Sequence, residues 1–372
     1  MIYFDNAATT FPKPKSVILG VNTCLKKIGG NPARSSHKLS IMASEEIYKT
    51  REAVAGLLNV SDPESIVFTY NATYALNMAI KTMIREKCHI IISDVEHNSV
   101  IRPLEALKET LGIEYSVYNS DILPEVAIPP LIKNDTKLIV STLCSNISGK
   151  NIDFSSLSNV AQKHSLRLIV DASQAIGHTV IDLSKTPCDA LCAPAHKALF
   201  GIQGCGFAYF ANKYREGSFV EGGSGNNSAD LRMPNLLPEG YEAGTLSTVG
   251  IMALRCGINF VTEIGIENIE YHLNKLRELA EAGLSGIPEI TLYPSDGGNI
   301  IFNMNGLKSS ATASLLDELN ICTRGGLHCA PLAHKKFGTL DTGSVRVSFS
   351  IMNTQGEVER FVDIAKKISH RK

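Results

Sequence analysis

Short apolar runs that alternate with helical patterns from residue 44 onward constrain the fold of this chain more than any other feature. Runs such as III and LIV are apolar throughout, which is typical of strands covered on both faces. The strand-like runs are Ile66–Tyr70, His89–Ser93, Leu138–Ser141, Leu168–Asp171 and Phe207–Phe210. The helix-like segments are Ser44–Leu58, Thr73–Ile84, Ile101–Leu111, Ser155–His164 and Ser247–Ile264. This alternation predicts an α/β fold built on a large, mostly parallel sheet.

The pattern changes after about residue 265. Helix-like, strand-like and again helix-like segments follow in an irregular order, which predicts a smaller α+β domain at the C-terminus. The segments are Ile266–Ala282, Ile300–Asn303, Ser310–Leu319, Val345–Phe349 and Glu357–Ser369.

The composition excludes several classes of protein. Hydrophobic residues make up 44% of the 372 residues and charged residues 20%, so the chain is too apolar for general disorder. Its net charge of -1 offers no whole-chain attraction to nucleic acid or to an anionic membrane. The nine cysteines lack a CxxC pair, which indicates reduced thiols. We therefore expect a cytoplasmic enzyme with no nucleic-acid or membrane partner.

Polar residues follow four of the apolar runs, at the point where each predicted strand ends. They lie in the stretches 71–73, 94–97, 145–146 and 171–174. In open α/β sheets, ligands bind beyond the carboxyl ends of the strands, so these residues are candidates for one site. Taken singly, an Asp here is more often a helix cap, and a His such as His97 is more often structural.

Lys197 supplies a reactive amine, because it lies between apolar residues and precedes Gly201, Gly204 and Gly206. A lysine in an apolar site has a lowered pKa and can form a Schiff base. A surface lysine on a turn is the plainer alternative. The glycine spacing is a weak phosphate-binding signal, since it precedes a strand instead of following one.

Cys329 is the cysteine we single out as a nucleophile. Arg324 and His328 are its nearby cationic candidates, and such neighbours favour the reactive thiolate. Most cysteines are packed as small hydrophobes, and we expect this of the other eight. Cys188 and Cys192 have no neighbouring His or second cysteine pair, so we expect no metal site.

The chain resembles the class V aminotransferase/cysteine desulfurase family, whose enzymes depend on pyridoxal 5'-phosphate (PLP). The resemblance runs nearly end to end, through YFDNAATT, SDVEHNSV, SNISGKNID, VDASQAIGH, AHKALFGIQGCGF, YEAGTLST, RGGLHCAP and VRVSFSIMNT. It implies a fold type I homodimer. It also implies a large PLP-binding domain over residues 14–255 and a small domain made of residues 1–13 and 256–372.

The resemblance also implies the cofactor-binding residues. Lys197 corresponds to the lysine that binds PLP covalently, and Asp171 to the partner of the pyridine nitrogen, which makes the ring an electron sink. His97 corresponds to the residue that stacks on the ring, while Gln174 and Asn146 contact its phenolic oxygen or the substrate. The phosphate site would comprise Thr73, Ala72, His196 and, from the partner subunit, Thr245.

For the substrate, the resemblance implies that Arg346 holds the carboxylate through a bidentate fork. Arg324 and Asn146 are the further substrate-binding candidates. Cys329 corresponds to the cysteine that carries the persulfide, so the catalytic set is Lys197, Cys329 and His97. The compact RGGLHCAP segment is similar to the group II form of the family.

Two positions depart from the family pattern. Pro194 stands two residues before His196, where many relatives have a small hydroxyl residue, and Ala72 replaces a frequent threonine. Both changes remove hydroxyl groups from the phosphate site. We therefore expect phosphate contacts that differ from those of other members.

The function that this reading favours is a cysteine desulfurase, which converts L-cysteine to L-alanine and leaves the sulfur on Cys329. A sulfur-acceptor protein is a further expected partner. The alternatives on the same scaffold are a selenocysteine lyase, a C–S lyase and an amino-acid epimerase, with a non-catalytic scaffold protein as the last. Fold alone cannot separate them.

Overall fold

The computed structural model describes residues 1–32, 36–212, 215–217, 219–225 and 229–370. The helices are α1 (Lys15–Lys27), α2 (Lys38–Leu57), α3 (Ala72–Met83), α4 (Asn98–Leu111), α5 (Pro124–Ala127), α6 (Phe154–Lys163), α7 (Thr248–Ile264), α8 (Ile266–Ser285), α9 (Ser309–Glu318), α10 (Pro331–Lys336) and α11 (Gln355–Ser369). The strands are β1 (Ile2–Tyr3), β2 (Ile66–Thr69), β3 (His89–Ser93), β4 (Glu114–Tyr118), β5 (Thr136–Thr142), β6 (Arg167–Asp171), β7 (Ala190–Pro194), β8 (Gly206–Phe210), β9 (Ile290–Leu292), β10 (Asn299–Met304), β11 (Ile321–Cys322), β12 (Arg324–Gly326) and β13 (Ser344–Ser348).

A seven-stranded sheet in the order β2-β8-β7-β6-β5-β3-β4 forms the centre of the molecule. Its pairs are parallel except where β8 meets β2 and β7. Successive residues of its strands alternate between two apolar clusters. Ile91 and Ile139 pack with residues of α2, α6 and α7, whereas Ile90 and Leu138 pack with residues of α3 and α4. Helices cover both faces, which confirms the α/β fold predicted from the apolar runs.

A second, four-stranded sheet has the order β12-β13-β10-β9 and is antiparallel throughout. Its apolar residues pack with those of α8, α9 and α11. The N-terminal strand β1 pairs in parallel with β11 instead of joining the large sheet. The α+β character of this part agrees with the sequence, and the division into residues 14–255 against 1–13 and 256–372 stays a prediction.

Several elements differ from the sequence pattern or were absent from it. Helix α2 begins at Lys38, six residues before the predicted start, because the His37 side chain accepts the Ser40 amide and caps the helix. The edge strand β4 is half-exposed, so it lacks the apolar run that marks buried strands. Strand β12 consists of Arg-Gly-Gly, which reads as a turn when taken alone.

Among the described residues, no single helix has both the length and the apolar character that a membrane span requires. Helices α7 and α8 meet that test only as a pair, across a bend of 79°.

Candidate active site

A cavity of about 240 Å³ lies beyond the carboxyl ends of β3, β5 and β6, and next to the turn after β7. It brings together all but one of the predicted site residues. These are Ala72, Thr73, His97, Asn146, Asp171, Gln174, His196, Lys197, Arg324, Cys329 and Arg346. Parallel strands place their carboxyl ends at one edge, which is why segments distant in sequence meet here.

Thr245 is the predicted residue that does not line this cavity. It lies on a separate pocket of about 420 Å³, together with Tyr48 and the buried ion pair between Arg51 and Glu242. The placement is that of a single chain. A role toward a partner subunit therefore stays a prediction.

Lys197 lies in the turn that follows β7. Its carbonyl accepts the Thr10 hydroxyl at 3.0 Å and the Phe200 amide at 2.8 Å, which fixes the backbone of the turn. Burial lowers the pKa of Lys197 to about 8, although the nearby Asp171 carboxylate opposes this shift. A larger share of this amine than of an ordinary lysine is therefore neutral, and nucleophilic, near physiological pH.

Asp171 is the last residue of β6 and is buried. Its Oδ1 accepts the Ser173 amide at 2.9 Å. The carboxylate is thus held at the floor of the cavity, at the place where a protonated ring nitrogen could be paired.

His97 caps the N-terminus of α4 through its own ring. Its Nδ1 accepts the Ser99 amide at 3.1 Å and lies 2.9 Å from Ser99 Oγ. Burial holds the pKa of His97 well below its usual value, and the cation of Lys197 adds to the shift. The imidazole is therefore neutral at physiological pH.

Gln174 and Asn146 each donate a hydrogen bond from the side-chain nitrogen to a backbone carbonyl of the protein. Gln174 Nε2 donates to the Ala7 carbonyl at 2.9 Å, and Asn146 Nδ2 donates to the His328 carbonyl at 2.7 Å. Asn146 Oδ1 is buried and has no partner within the described residues. A buried oxygen of this kind indicates that the site takes a group with a hydrogen to donate.

The N-terminus of α3 forms the end of the cavity suited to an anion. Asn71 caps the helix by accepting the Tyr74 amide at 2.9 Å, and Ala72 and Thr73 begin the first turn. His196 Nδ1 nearby is buried and has no partner within the described residues. The backbone amides of a first helical turn, the Thr73 hydroxyl and the His196 ring nitrogen fit a phosphate group at this place.

Arg346 is buried in β13 at the opposite side of the cavity. Its Nη1 donates to the Asn146 carbonyl at 2.7 Å, and its Nη2 to Asp5 Oδ1 at 2.9 Å. Arg324 lies directly opposite Arg346 in the antiparallel pair of β12 and β13. Asp5 is the carboxylate paired with Arg346, and Arg324 adds a second guanidinium on the neighbouring strand, which leaves positive charge for the carboxylate of a ligand.

Cys329 lies at the mouth of the cavity, between β12 and α10. All nine cysteines are within the described residues, and Cys329 is the exposed one among them. His328 and Cys329 both have left-handed backbones, with φ of 49° and 57°. Contacts from the Asn98 amide, at 2.7 Å to the Cys329 carbonyl, and from Asn146 hold this unfavourable conformation.

Sequence reasoning missed several residues of the site. Asp5 lies in the YFDNAATT motif, and because its partner Arg346 is 341 positions away, no local pattern in the sequence marks this ion pair. Ser99 and Cys144 line the cavity as well. Ser99 follows His97 by two positions, a spacing at which a helix-capping side chain meets the next polar residue, so it could have been found.

The residues fit a pyridoxal phosphate group. The cavity contains an amine of lowered pKa, a buried carboxylate, an anion site at a helix N-terminus and the unpartnered Asn146 oxygen. These match the aldehyde, the ring nitrogen, the phosphate and the phenolic hydroxyl of such a group. Ala72 and Pro194 line the same cavity, so these two positions offer no hydroxyl to the phosphate.

Comparison with known proteins agrees with this geometry. The model of the aminotransferase class-V family matches residues 2–361. A protein of Methanothermobacter thermautotrophicus named probable cysteine desulfurase is 31% identical, and the alignment covers 99% of this chain and 94% of that protein.

Solved structures give the same result for the fold. The apo structure of cysteine desulfurase from Thermococcus onnurineus has a TM-score of 0.90 at 29% identity, covering 99% of this chain and 94% of the other. The cysteine desulfurase CsdA of Escherichia coli, at 24% identity and a TM-score of 0.89, shares the fold over 98% of this chain and 94% of the other. The predicted family and fold are confirmed, and the chain belongs to the class V aminotransferase family.

Proposed function

We propose that the protein is a PLP-dependent cysteine desulfurase, which removes sulfur from L-cysteine, releases L-alanine and keeps the sulfur on Cys329 as a persulfide. The observation that carries the proposal is the position of Cys329. An exposed thiol that lines the same cavity as Lys197, Asp171 and Arg346 supports attack by that thiol on a substrate held among them.

PLP, when bound, supplies the electron sink that stabilises negative charge on the substrate's carbon skeleton. Lys197 would hold it covalently, and Asp171 would keep its ring nitrogen protonated. His97, Gln174 and Asn146 would contact the ring and its phenolic oxygen. Thr73, the Ala72 amide and His196 would take the phosphate, and Thr245 would reach the phosphate of the partner subunit in a homodimer.

Arg346 orients the substrate. Its two terminal nitrogens already donate to Asn146 and Asp5, so the guanidinium is fixed before the substrate arrives. The hydrogens that remain, together with Arg324 on the neighbouring strand, would bind the α-carboxylate of L-cysteine. In this orientation the α-hydrogen would face Lys197 and the thiol would face Cys329.

Lys197 acts as the base. With a pKa of about 8, its amine can take the α-hydrogen near neutral pH and hold the proton at Nζ. His97, neutral and capped at Nδ1, carries its own proton on Nε2 and can donate that proton within the cavity.

Sulfur transfer requires one bond to form and one to break. The Cys329 thiolate attacks the sulfur of the substrate, a sulfur–sulfur bond forms, and the bond from the substrate sulfur to Cβ breaks. The electron pair of that bond stays on the carbon skeleton and is protonated, which gives alanine. Cys329 remains as a persulfide, whose outer sulfur a thiol of an acceptor protein would remove.

The experiment compares the products formed from L-cysteine by the wild type and by Cys329→Ser. We expect alanine as the main product of the wild type and a loss of several orders of magnitude in the variant, with PLP binding retained. Cys322→Ser is the matched control, because Cys322 is partly exposed outside the cavity. Full activity in Cys329→Ser would contradict the persulfide step.

Pyruvate as the main wild-type product would indicate a C–S lyase instead, since elimination needs the base and the electron sink but no thiol. Comparing the rates of alanine formation from L-selenocysteine and from L-cysteine distinguishes a selenocysteine lyase from a cysteine desulfurase. Racemised substrate without release of sulfur would indicate an epimerase. A cytoplasmic location completes the proposal, in keeping with the reduced thiols.

A further inference from the structure

A hydroxyl group with no assigned role, Ser99 Oγ, lies between two of the proposed cofactor-binding side chains. It is 2.7 Å from Thr73 Oγ1 and 2.9 Å from His97 Nδ1. All three residues line the active-site cavity, and Ser99 itself is buried. A continuous row of hydrogen-bonding atoms therefore joins the anion site at the N-terminus of α3 to the imidazole at the N-terminus of α4.

The Ser99 backbone amide determines which group donates and which accepts in each hydrogen bond of this row. The Ser99 amide donates to His97 Nδ1 at 3.1 Å, so Nδ1 carries a lone pair and the proton of the neutral ring is on Nε2. The Ser99 hydroxyl can then bond to Nδ1 only as a donor. Its single proton is thereby committed, and Thr73 must donate its own hydroxyl proton to Ser99.

The charged groups that face the ring keep this direction stable. Lys197, Arg324 and Arg346 disfavour a charged imidazole, as does burial, and they lower the pKa of His97, whereas Asp171 acts in the opposite sense. Because the ring stays neutral, Nδ1 stays an acceptor across the physiological range of pH.

We propose that Ser99 is a positioning residue that transmits the occupancy of the anion site at Thr73 to the hydrogen bonding of the His97 ring. An anion that accepts the Thr73 proton removes the donor on which Ser99 relies. Ser99 then turns its proton to the Thr73 oxygen, and His97 Nδ1 keeps the backbone amide as its donor. The proposal rests on the proposed function in taking Thr73 as a phosphate contact.

The ring of His97 is the group that responds. Two donors at Nδ1 hold the imidazole when the anion site is empty, and one donor holds it when the site is filled. A ring with one donor turns more easily about its side-chain bond. Binding of a phosphate would therefore release His97 to adjust to a ring placed against it.

The test uses the full-length apoprotein with ¹⁵N-labelled histidine, inorganic phosphate as the probe, and long-range ¹H–¹⁵N correlation spectra. His97→Gln identifies the resonances. We expect the pattern of an Nε2-protonated ring in the wild type, and a downfield shift of Nδ1 on adding phosphate, since the lone pair loses a donor. In Ser99→Ala we expect that shift to fall at least threefold, and in Ser99→Thr, which keeps the hydroxyl, to be restored.

Thr73→Val provides the second variant. Without the Thr73 hydroxyl, phosphate should bind about fivefold more weakly, the usual effect of one hydrogen bond. The Nδ1 resonance of Thr73→Val should stay at the phosphate-free position of the wild type with or without phosphate, because Ser99 then has no Thr73 oxygen to which it could turn its proton. Calorimetry measures the affinity independently of the spectra.

Three results would overturn the proposal. They are a ring protonated at Nδ1, equal phosphate-induced shifts in the wild type and Ser99→Ala, and a wild type that binds phosphate by calorimetry with no shift at Nδ1. Failure of phosphate to bind overturns it as well. The coupling of Thr73 to His97 through Ser99 is measured on the apoprotein. A protein that shows this coupling but releases no alanine from L-cysteine would therefore contradict the proposed function and not the coupling.

Discussion

Asp5 and Arg346, 341 positions apart in the sequence, form an ion pair of 2.9 Å between Oδ1 and Nη2. The Arg346 side chain is 2% exposed, whereas that of Asp5 is 21% exposed. A buried guanidinium that loses its carboxylate is left with an uncompensated charge. The pair therefore joins the N-terminal segment to the side of the cavity that Arg346 lines, and it fixes the arginine.

Replacing Asp5 by alanine tests this pair. We expect Asp5→Ala to lower the free energy of unfolding by about 3 kcal/mol, near the lower end for a broken buried pair because Asp5 is partly exposed. The KM for L-cysteine should rise more than kcat falls, since Arg346 loses its orientation. Urea unfolding and steady-state kinetics measure the two effects. Asp341→Ala, at an exposed position, is the control and should change stability by less than about 0.5 kcal/mol.

The pKa of Lys197 predicts how the apoprotein takes up PLP. Only the neutral amine attacks an aldehyde, so the rate of covalent attachment should rise with pH and level off above about 8. Borohydride reduction at timed intervals, followed by peptide mapping, measures the rate and the site. Lys197→Ala should show no reducible attachment. A midpoint near the ordinary lysine pKa, or attachment at another lysine, would contradict the assignment.

The raised pKa of Glu96 predicts that the protein loses stability as the pH rises. Its carboxyl is fully buried, which raises its pKa to about 8, and Oε1 accepts the Thr142 amide at 2.8 Å. Between its unfolded pKa, near 4.3, and about 8, the native state binds the proton more tightly than the unfolded state. The contribution of Glu96 to stability is therefore complete below that range and is lost as pH rises through it.

The matched variant is Glu96→Gln, which keeps an acceptor for the Thr142 amide but does not titrate. The wild type should lose stability relative to Glu96→Gln as the pH rises from 5 to 8, measured by urea unfolding at each pH. Parallel pH profiles of the two proteins would show that Glu96 titrates in its ordinary range.

Lys336 connects the segment that contains Cys329 to the large sheet through two ion pairs. Its Nζ lies 3.0 Å from Asp94 Oδ2 and 2.9 Å from Asp121 Oδ2, while α10, where it lies, begins two residues after Cys329. We expect Lys336→Met to lower stability by about 1–3 kcal/mol and to speed hydrogen exchange over residues 327–336. Lys335→Met, at an exposed neighbouring position, is the control. Unchanged exchange in Lys336→Met would show that other contacts hold the segment.

The large sheet could be predicted from the sequence because its strands are buried on both faces. Runs such as Ile90–Ile92 leave no polar position to confuse with a helix. Strands β4 and β12 could not be predicted in this way, since one is half-exposed and the other is made of Arg-Gly-Gly. What makes them strands is the neighbour with which each pairs.

The candidate site was predictable where a residue type itself implies chemistry, as for Lys197, Asp171 and Cys329. The contacts that fix these residues were not, because they depend on tertiary approach. Three of these contacts end on a backbone carbonyl. The carbonyl of Cys329 accepts the Asn98 backbone amide, that of His328 accepts the Asn146 side-chain amide, and that of Lys197 accepts the Thr10 hydroxyl. No pattern of side chains marks a backbone carbonyl as a partner.

The N-terminal segment has a consequence for synthesis on the ribosome. Strand β1 pairs with β11, and Asp5 reaches Arg346, so residues 2–5 cannot make these contacts until residues 321–346 have been synthesised. A nascent chain that has completed its seven-stranded sheet still lacks Arg346 and the Cys329 segment. A chain that stops before Arg346 therefore cannot assemble the candidate site, so ligand binding in this cavity reports that translation has passed that residue.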